Sequence, residues 1–370
     1  MPALTFLVKP ASGDCNLRCR YCFYYNTHTV PGHVQRMSLE TLERLIQEAC
    51  ETSPFQVGFG WQGGEPTLAG LAFFQEAVRL QRKYRRTGQR ITNALQTNGL
   101  LLTPEWCEFL RENDFLVGLS LDGERERHDA ERFDAGGHGT YDRVVQALRL
   151  LQQHKVRHNV LTVVTADIAR RGRQTYRALR ELGADYIQFI PSIDSGQGDV
   201  PRELLLTPEA YGAFLKNVYD EWVKELKAGK PVGVQFFESI AAMAVGQPSI
   251  TCQMAGTCAG QLVVEHDGSL YPCDFMVREE WRLGNLHETP VREVLQGERL
   301  KAYMSWAVRL PDDCRSCEFL SFCKGGCPHH RSMHGGDPSR PDYFCRGYKM
   351  LFRHALPELA QLGRAAVARR

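Results

Sequence analysis

Residues 15–22 read Cys15-Asn16-Leu17-Arg18-Cys19-Arg20-Tyr21-Cys22, a C-x3-C-x2-C run that follows the strand candidate Thr5–Lys9. Eleven of the thirteen cysteines fall into two spaced groups, and this run is the first. The second is Cys252, Cys258, Cys273, Cys314, Cys317, Cys323, Cys327 and Cys345. Cysteines this dense and regular are bridged, metallated or redox-active. Three ligands make an incomplete cluster site, eight make two complete four-ligand sites, and Cys50 and Cys107 are left over. Three thiolates on a tight loop suit a [4Fe–4S] cube whose fourth iron stays open to a small molecule, as open catalytic metal sites differ from closed structural ones. The rival is a structural zinc completed by a histidine such as His28. Zinc usually takes paired C-x2-C knuckles, and C-x3-C-x2-C is an unusual spacing for it.

The 370 residues allow one large domain with an appendage, or two domains, and the apolar fraction of 43% supports a sizeable core. Net charge is +2, from 45 basic and 43 acidic residues, so neither nucleic acid nor an anionic membrane is expected as a partner. The N-terminal apolar run, Leu4–Val8, is too short for a signal peptide. No stretch approaches the roughly 20 apolar residues of a membrane span. The expectation is a cytoplasmic protein in a reducing compartment, where structural disulfides are rare. Metal ligation is then the leading account of the cysteines.

Short apolar runs alternate with amphipathic stretches up to about residue 230. Strand candidates are Thr5–Lys9, Val57–Trp61, Ile91–Thr97, Phe115–Leu121, His158–Thr165 and Tyr186–Ile190. Between them, Ser38 is placed to cap a helix carrying Leu42, Leu45, Ile46 and Ala49 on one face. Thr103-Pro104 and Thr207-Pro208 each open another, the last stopping near Gly229. Six strand–helix units imply an α/β fold with a parallel sheet, a partial (β/α)6 barrel with its site at the C-terminal strand ends. Residues 1–230 are read as this barrel and 231–347 as a cysteine-rich domain. A C-terminal helix is expected over 348–370. In the cysteine-rich part, Gln261–Glu265 and Leu270–Tyr271 flank an Asp267-Gly268 turn and form a short β-hairpin.

The cysteine loop, with Gly63-Gly64-Glu65-Pro66 after the second strand candidate, resembles the radical S-adenosylmethionine superfamily. In that superfamily the open iron chelates S-adenosylmethionine, and one electron cleaves it to methionine and a 5′-deoxyadenosyl radical that abstracts hydrogen from substrate. The resemblance places the methionine amino group at Gly64 and the backbone of Tyr21 against the cofactor. It also implies contacts from Ser120 and Arg132 to ribose and carboxylate, and from Ile193 to adenine. Gln62 would point toward substrate, while Phe23 and Tyr24 read as packing residues.

The second cysteine group is similar to the SPASM extension, with two auxiliary [4Fe–4S] clusters. By that resemblance one takes Cys252, Cys258, Cys273 and Cys327, and the other Cys314, Cys317, Cys323 and Cys345. A zinc ribbon is the alternative for the isolated segment. His329, His330 and His334 read as surface or supporting groups. Cys50 and Cys107 read as structural.

The strings Lys9-Pro10-Ala11-Ser12, Gln62–Gly70, Leu95–Gly99, Tyr271-Pro272-Cys273-Asp274-Phe275 and Trp281-Arg282-Leu283-Gly284-Asn285 narrow this further. From Leu7 to about Tyr348 the chain looks like the anaerobic sulfatase-maturating enzymes, which oxidise a cysteine or serine of a sulfatase to Cα-formylglycine. The resemblance implies Asp274 as the base, S-adenosylmethionine and three [4Fe–4S] clusters as cofactors, and an unfolded or nascent sulfatase segment as substrate. It also implies a low-potential electron donor such as flavodoxin or ferredoxin. The nearest rival is another SPASM peptide modifier that forms thioethers or crosslinks. Such enzymes often carry an N-terminal leader-recognition domain, and here a barrel strand begins within ten residues of the start.

Overall fold

The computed structural model describes residues 4–24, 35–194, 200–258, 261–333 and 339–368, so His28 and His334 lie outside the described residues. All six expected strands are present within a residue or two of their expected ends: β1 (Leu4–Val8), β2 (Gln56–Trp61), β3 (Arg90–Thr97), β4 (Leu116–Ser120), β5 (His158–Val164) and β6 (Tyr186–Pro191). Phe6, Val8, Val57, Trp61, Val117 and Leu119 are fully buried, which is why these apolar runs settle as strands.

The helices start where the caps are. Ser38 accepts a hydrogen bond from Thr41 N at the head of α1 (Leu39–Thr52), and Leu42, Leu45, Ile46 and Ala49 form its buried face. After α2 (Leu71–Tyr84), Thr103 caps α3 (Pro104–Glu112) with Pro at its first position. Next come α4 (Tyr141–Gln153) and α5 (Gly172–Glu181). Thr207 caps α6 (Pro208–Lys227), and Gly229 follows its end at φ 73°. Two further helices are α7 (Gln235–Met243) and α8 (Cys345–Ala368). Cys50 and Cys107 are fully buried on α1 and α3, as packing residues.

The chain folds as two compact units. The first takes Met1–Ser120, Arg132–His158 and Cys258–Ser305, and the second takes Leu121–Glu131, Asn159–Thr257 and Trp306–Arg370. The cysteine-rich half is therefore shared between them. In the first unit, β1 to β4 pair in parallel and in chain order. The expected hairpin forms from β8 (Gln261–Val264) and β9 (Ser269–Tyr271), with Gly268 at φ 84° in its turn. It does not stand apart: β8 pairs in parallel with the edge of β1, and β10 (Gly284–Asn285) closes the row against β9. The edge of β1 would otherwise present unpaired main-chain groups. In the second unit β5 and β6 are parallel, and a two-residue strand, β7 (Gly233–Val234), pairs with β6. Two residues carry no periodicity, so no sequence pattern announces β7.

Helix α8 begins at Cys345, three residues before its expected start at 348. There it crosses α6 with almost no separation: a Cβ on Gly347 would lie 2.4 Å from Pro208 O, and one on Gly212 2.8 Å from Gly347 Cα. This crossing fixes the N-terminal turn of α8, which carries Cys345. Gly347→Val is expected to force the helices apart at a cost of about 1–3 kcal/mol. A lower thermal midpoint checks it, and an unchanged midpoint would show that the crossing tolerates a side chain.

Candidate active site

The C-x3-C-x2-C loop follows β1 and is held by main chain on both sides. Arg18 N donates to Phe133 O at 2.8 Å, and Leu17 bridges to Asp134. From the β2 end, Gly64 N donates to Ser12 O and Glu65 N to Asp14 O, both at 2.7 Å. A Cβ on Gly64 would sit 2.1 Å from Asp14 O, and one on Gly63, at φ 115°, 2.6 Å from Ser12 O. The glycines were expected to admit a ligand. The structure shows that they also pack backbone on backbone against the cysteine loop. The Gly64 N–H is thus committed to Ser12 O.

Glu65 has no reading of its own in the sequence, yet it braces three loops. Its fully buried carboxylate accepts from Thr67 N and Oγ1, from Thr97 Oγ1 at 2.8 Å and from Asn98 N at 2.8 Å. Burial raises its pKa even so, against these four hydrogen bonds. Asn98 Nδ2 in turn donates to Asn16 Oδ1 at 2.7 Å inside the cysteine loop.

The other expected cofactor residues are placed as follows. Arg132 Nη1 donates to the Tyr21 hydroxyl at 2.6 Å, which joins two of them through their side chains. Ser120 ends β4, where its Oγ accepts from Gln96 Nε2 at 2.9 Å. Ile193 lies in the second unit, half-buried just after β6.

Asp274 follows Cys273 directly and begins the short turn Asp274–Met276. Its two oxygens have different partners. Oδ1 lies 2.8 Å from Lys9 Nζ, and Oδ2 accepts from the Tyr24 hydroxyl. Gln62 Nε2 donates to Tyr24 Oη at 2.8 Å and reaches Asp274 Oδ2 at 3.4 Å. Lys9 is fully buried and also lies 2.9 Å from Glu265 Oε1, whose Oε2 accepts from Ser12 Oγ at 3.0 Å. Burial works against the Lys9 charge, but Asp274 and Glu265 outweigh it and raise the ammonium pKa. Burial and then Asp274 push the Tyr24 hydroxyl well above its ordinary range. Tyr24 is therefore more than a packing residue, and the packing belongs to Phe23, whose ring lies 4.2 Å from Tyr24 and 5.2 Å from Phe275.

In the second unit, Cys314, Cys317, Cys323 and Cys345 line one cavity of about 870 Å³. The turn at Lys324, Gly325 and Gly326 has positive φ throughout and reverses the chain after Cys323. Burial pushes the Cys323 thiol up to about 11, and burial followed by Glu65 pushes Cys15 up to about 12. Thiols held protonated in this way release their protons to a bound metal. Among the described residues, no three Cys, His, Asp or Glu side chains converge on a single ion. Cysteines spaced around a cavity suit an iron–sulfur cube better than a lone zinc with its 2.3 Å bonds.

Of the other four expected ligands, Cys258 and Cys273 belong to the first unit, and Cys252 and Cys327 to the second. Cys327 N donates to Asp342 Oδ2 at 2.9 Å. His329 and His330 are buried, not on the surface, and His330 Nδ1 lies 3.3 Å from the same Asp342 oxygen.

Residues 10–167 match the Radical SAM superfamily, and residues 252–318 match SPASM, an iron–sulfur cluster-binding domain. The cysteine-type anaerobic sulfatase-maturating enzyme of Clostridium perfringens is 37% identical over 97% of this chain and 98% of its own length. The chain belongs to the anaerobic sulfatase-maturating enzymes. The serine-type enzyme of Bacteroides thetaiotaomicron is 38% identical over 96% of this chain and 90% of its own. A solved structure described as native anSMEcpe with bound AdoMet and Cp18Cys peptide superposes with a TM-score of 0.92 at 37% identity, covering 98% of this chain and 100% of that one. The expected α/β fold, a radical S-adenosylmethionine domain with a SPASM extension, is thus that of the anaerobic sulfatase-maturating enzymes. No helix among the described residues is long and apolar enough to cross a membrane.

Lys9→Met strands two carboxylates, with side chains only 8% and 12% exposed, without their cation. Breaking a buried pair in this way is expected to cost about 3–5 kcal/mol. Thermal unfolding of the cluster-free protein measures it, and a stability equal to wild type would remove Lys9 from the framework.

Proposed function

We propose that this enzyme oxidises a cysteine or serine side chain of a sulfatase segment to Cα-formylglycine, with Asp274 as the base. The observation that carries the reading is the placement of Asp274. It follows a cysteine ligand, is fixed on one oxygen by Lys9 and on the other by Tyr24, and lies in the same compact unit as the Cys15–Cys22 loop. Membership in the family supports it.

When bound, S-adenosylmethionine and three [4Fe–4S] clusters supply hydrogen-atom abstraction and an electron sink. Cys15, Cys19 and Cys22 would hold the cluster with the open iron. The Gly64 carbonyl, Tyr21 with Arg132, Ser120 and Ile193 would hold S-adenosylmethionine. Cys252, Cys258, Cys273 and Cys327 would hold one auxiliary cluster, and Cys314, Cys317, Cys323 and Cys345 the other.

The chain's own residues manage the substrate and one proton. An extended, unfolded or nascent sulfatase segment presents its target side chain to Asp274. As the substrate Cβ is oxidised, Asp274 accepts the proton of the thiol or hydroxyl. Lys9 keeps Oδ1 in place, and Tyr24 with Gln62 aims Oδ2. One hydrogen atom, one proton and one electron leave in total. Serine then yields the aldehyde directly, while cysteine yields a thioaldehyde that water hydrolyses. Electrons enter from a low-potential donor such as flavodoxin or ferredoxin, in the cytoplasm.

Asp274→Asn is expected to keep cleaving S-adenosylmethionine while formylglycine formation drops about 10²–10⁴-fold, the usual weight of a placed base. Anaerobic turnover of paired peptides differing only in Cys or Ser, read by mass, measures it. Whichever peptide the wild-type enzyme turns over should give the same aldehyde, by loss of about two mass units from Ser or about eighteen from Cys, and full turnover by the Asn variant would sink the base assignment. Cys15, Cys19 and Cys22 changed together to Ala should lower iron from about twelve to about eight per chain, one four-iron cluster of three. That protein should cleave no S-adenosylmethionine; an unchanged iron count would contradict the ligand set.

A further inference from the structure

Asn98 follows β3 directly, and its side chain is held from several directions. Oδ1 accepts from Leu100 N at 3.0 Å, a bond that fixes which end of the amide is oxygen. The Nδ2 end therefore faces the cysteine loop. There it donates to Asn16 Oδ1 at 2.7 Å and reaches Cys15 Sγ at 3.7 Å, within hydrogen-bond range for the larger sulfur atom. These two contacts use the two hydrogens of the amide. The main-chain N–H of Asn98 is fixed to Glu65 Oε2, and the residue is 5% exposed. Leu17 N donates to the same sulfur at 3.3 Å, a bond local to the loop, whereas Asn98 reaches it from 83 residues away. The Cys15 thiol itself lies 3.9 Å from Asn16 Oδ1, a contact that ends when the sulfur releases its proton to metal. Burial, followed by Glu65, disfavours negative charge on this sulfur. Hydrogen-bond donors aimed at it work the other way.

We infer that Asn98 donates a hydrogen bond to the Cys15 thiolate of the cluster with the open iron and thereby raises that cluster's reduction potential. The inference rests on the reading of Cys15, Cys19 and Cys22 as the ligands of that cluster. The sulfurs grow more negative as a cluster is reduced, so a fixed hydrogen-bond donor stabilises the reduced form more than the oxidised form. An electron from the low-potential carrier then enters this cluster more readily. Asn98 touches neither substrate nor S-adenosylmethionine in this reading; it is a positioning residue that acts through the Cys15 sulfur. Its ties to Glu65, Asn16 and Leu100 hold the amide independently of the sulfur, so the donor is in place before the cluster binds.

The test is an anaerobic redox titration of the reconstituted holoenzyme, followed by electron paramagnetic resonance. Asn98→Ser removes the amide without adding a charge and still offers an oxygen to Leu100 N, so iron and sulfide should stay at wild-type levels. The midpoint of the open-iron cluster should fall, with the reduced-to-oxidised ratio at fixed potential changing about fivefold, or about 40 mV at 59 mV per tenfold for a one-electron couple. The protein with Cys15, Cys19 and Cys22 changed together to Ala identifies the signal, because it should lack that cluster alone. If it retains all three clusters, the ligand reading fails and the inference falls with it. If the reading stands and the midpoint does not move in Asn98→Ser, the Asn98 role is overturned by itself. A shift confined to an auxiliary cluster also overturns it. Asn16→Ala removes the other acceptor of the amide and leaves the sulfur contact, so its midpoint should stay in place. An equal fall there would reduce the effect to bracing of the loop. Should Asn98→Ser lose iron, Asn98→Asp keeps the shape of the side chain and turns a carboxylate oxygen toward the sulfur. Its midpoint should fall further still, and no fall would overturn the inference.

Discussion

The contact on which the rest of the site depends is the one between the Gly63-Gly64 turn and the main chain of the cysteine loop. Two N–H groups from the end of β2 meet two carbonyls of the loop after β1, at a separation that excludes any Cβ. A loop that presents three thiolates to a cluster needs its backbone held from outside, because its side chains are committed to metal. Glu65 extends the same bracing to β3 through Thr97 and Asn98, and Asn98 returns to Asn16. The strand ends thus hold one another before any cofactor arrives.

A second set of ties joins that loop region to the cysteine-rich half. Lys9 and Ser12 flank the end of β1, while Glu265 and Asp274 flank the hairpin that pairs with it. The buried ammonium holds both carboxylates, and the parallel pairing of β8 with β1 sets the register that brings them together. The Asp274 carboxylate is therefore positioned by sheet geometry and by charge at once. A side chain that must accept a proton in a confined site gains from such redundancy, because small misplacements of a catalytic group are costly.

Much of this was legible in the sequence. Strand and helix positions followed from apolar periodicity and from Ser38, Thr103 and Thr207 as caps, signals local enough to read without a fold. The iron–sulfur character of the chain was legible because cysteine spacing is itself the signal. What escaped was long-range or ambiguous. Tyr24 and Asp274 are 250 residues apart, and nothing near either one announces the other. Lys9 and Glu265 look like ordinary charges until burial pairs them. The close backbone packing of Gly63 and Gly64 on the cysteine loop has no sequence signal of its own, because its partners lie about 50 residues away. The approach of His330 to Asp342 becomes visible only after folding.

The parallel seam between β1 and β8 also has a meaning for synthesis. Roughly 250 residues separate its two strands, and at about 5–20 residues per second β1 waits roughly 10–50 s for its partner. Until then its edge is an open template of the kind that recruits other strands. The nascent chain carries its C-x3-C-x2-C loop long before it carries Asp274. Chaperone demand and aggregation during expression should therefore centre on this seam, until β8 covers the β1 edge.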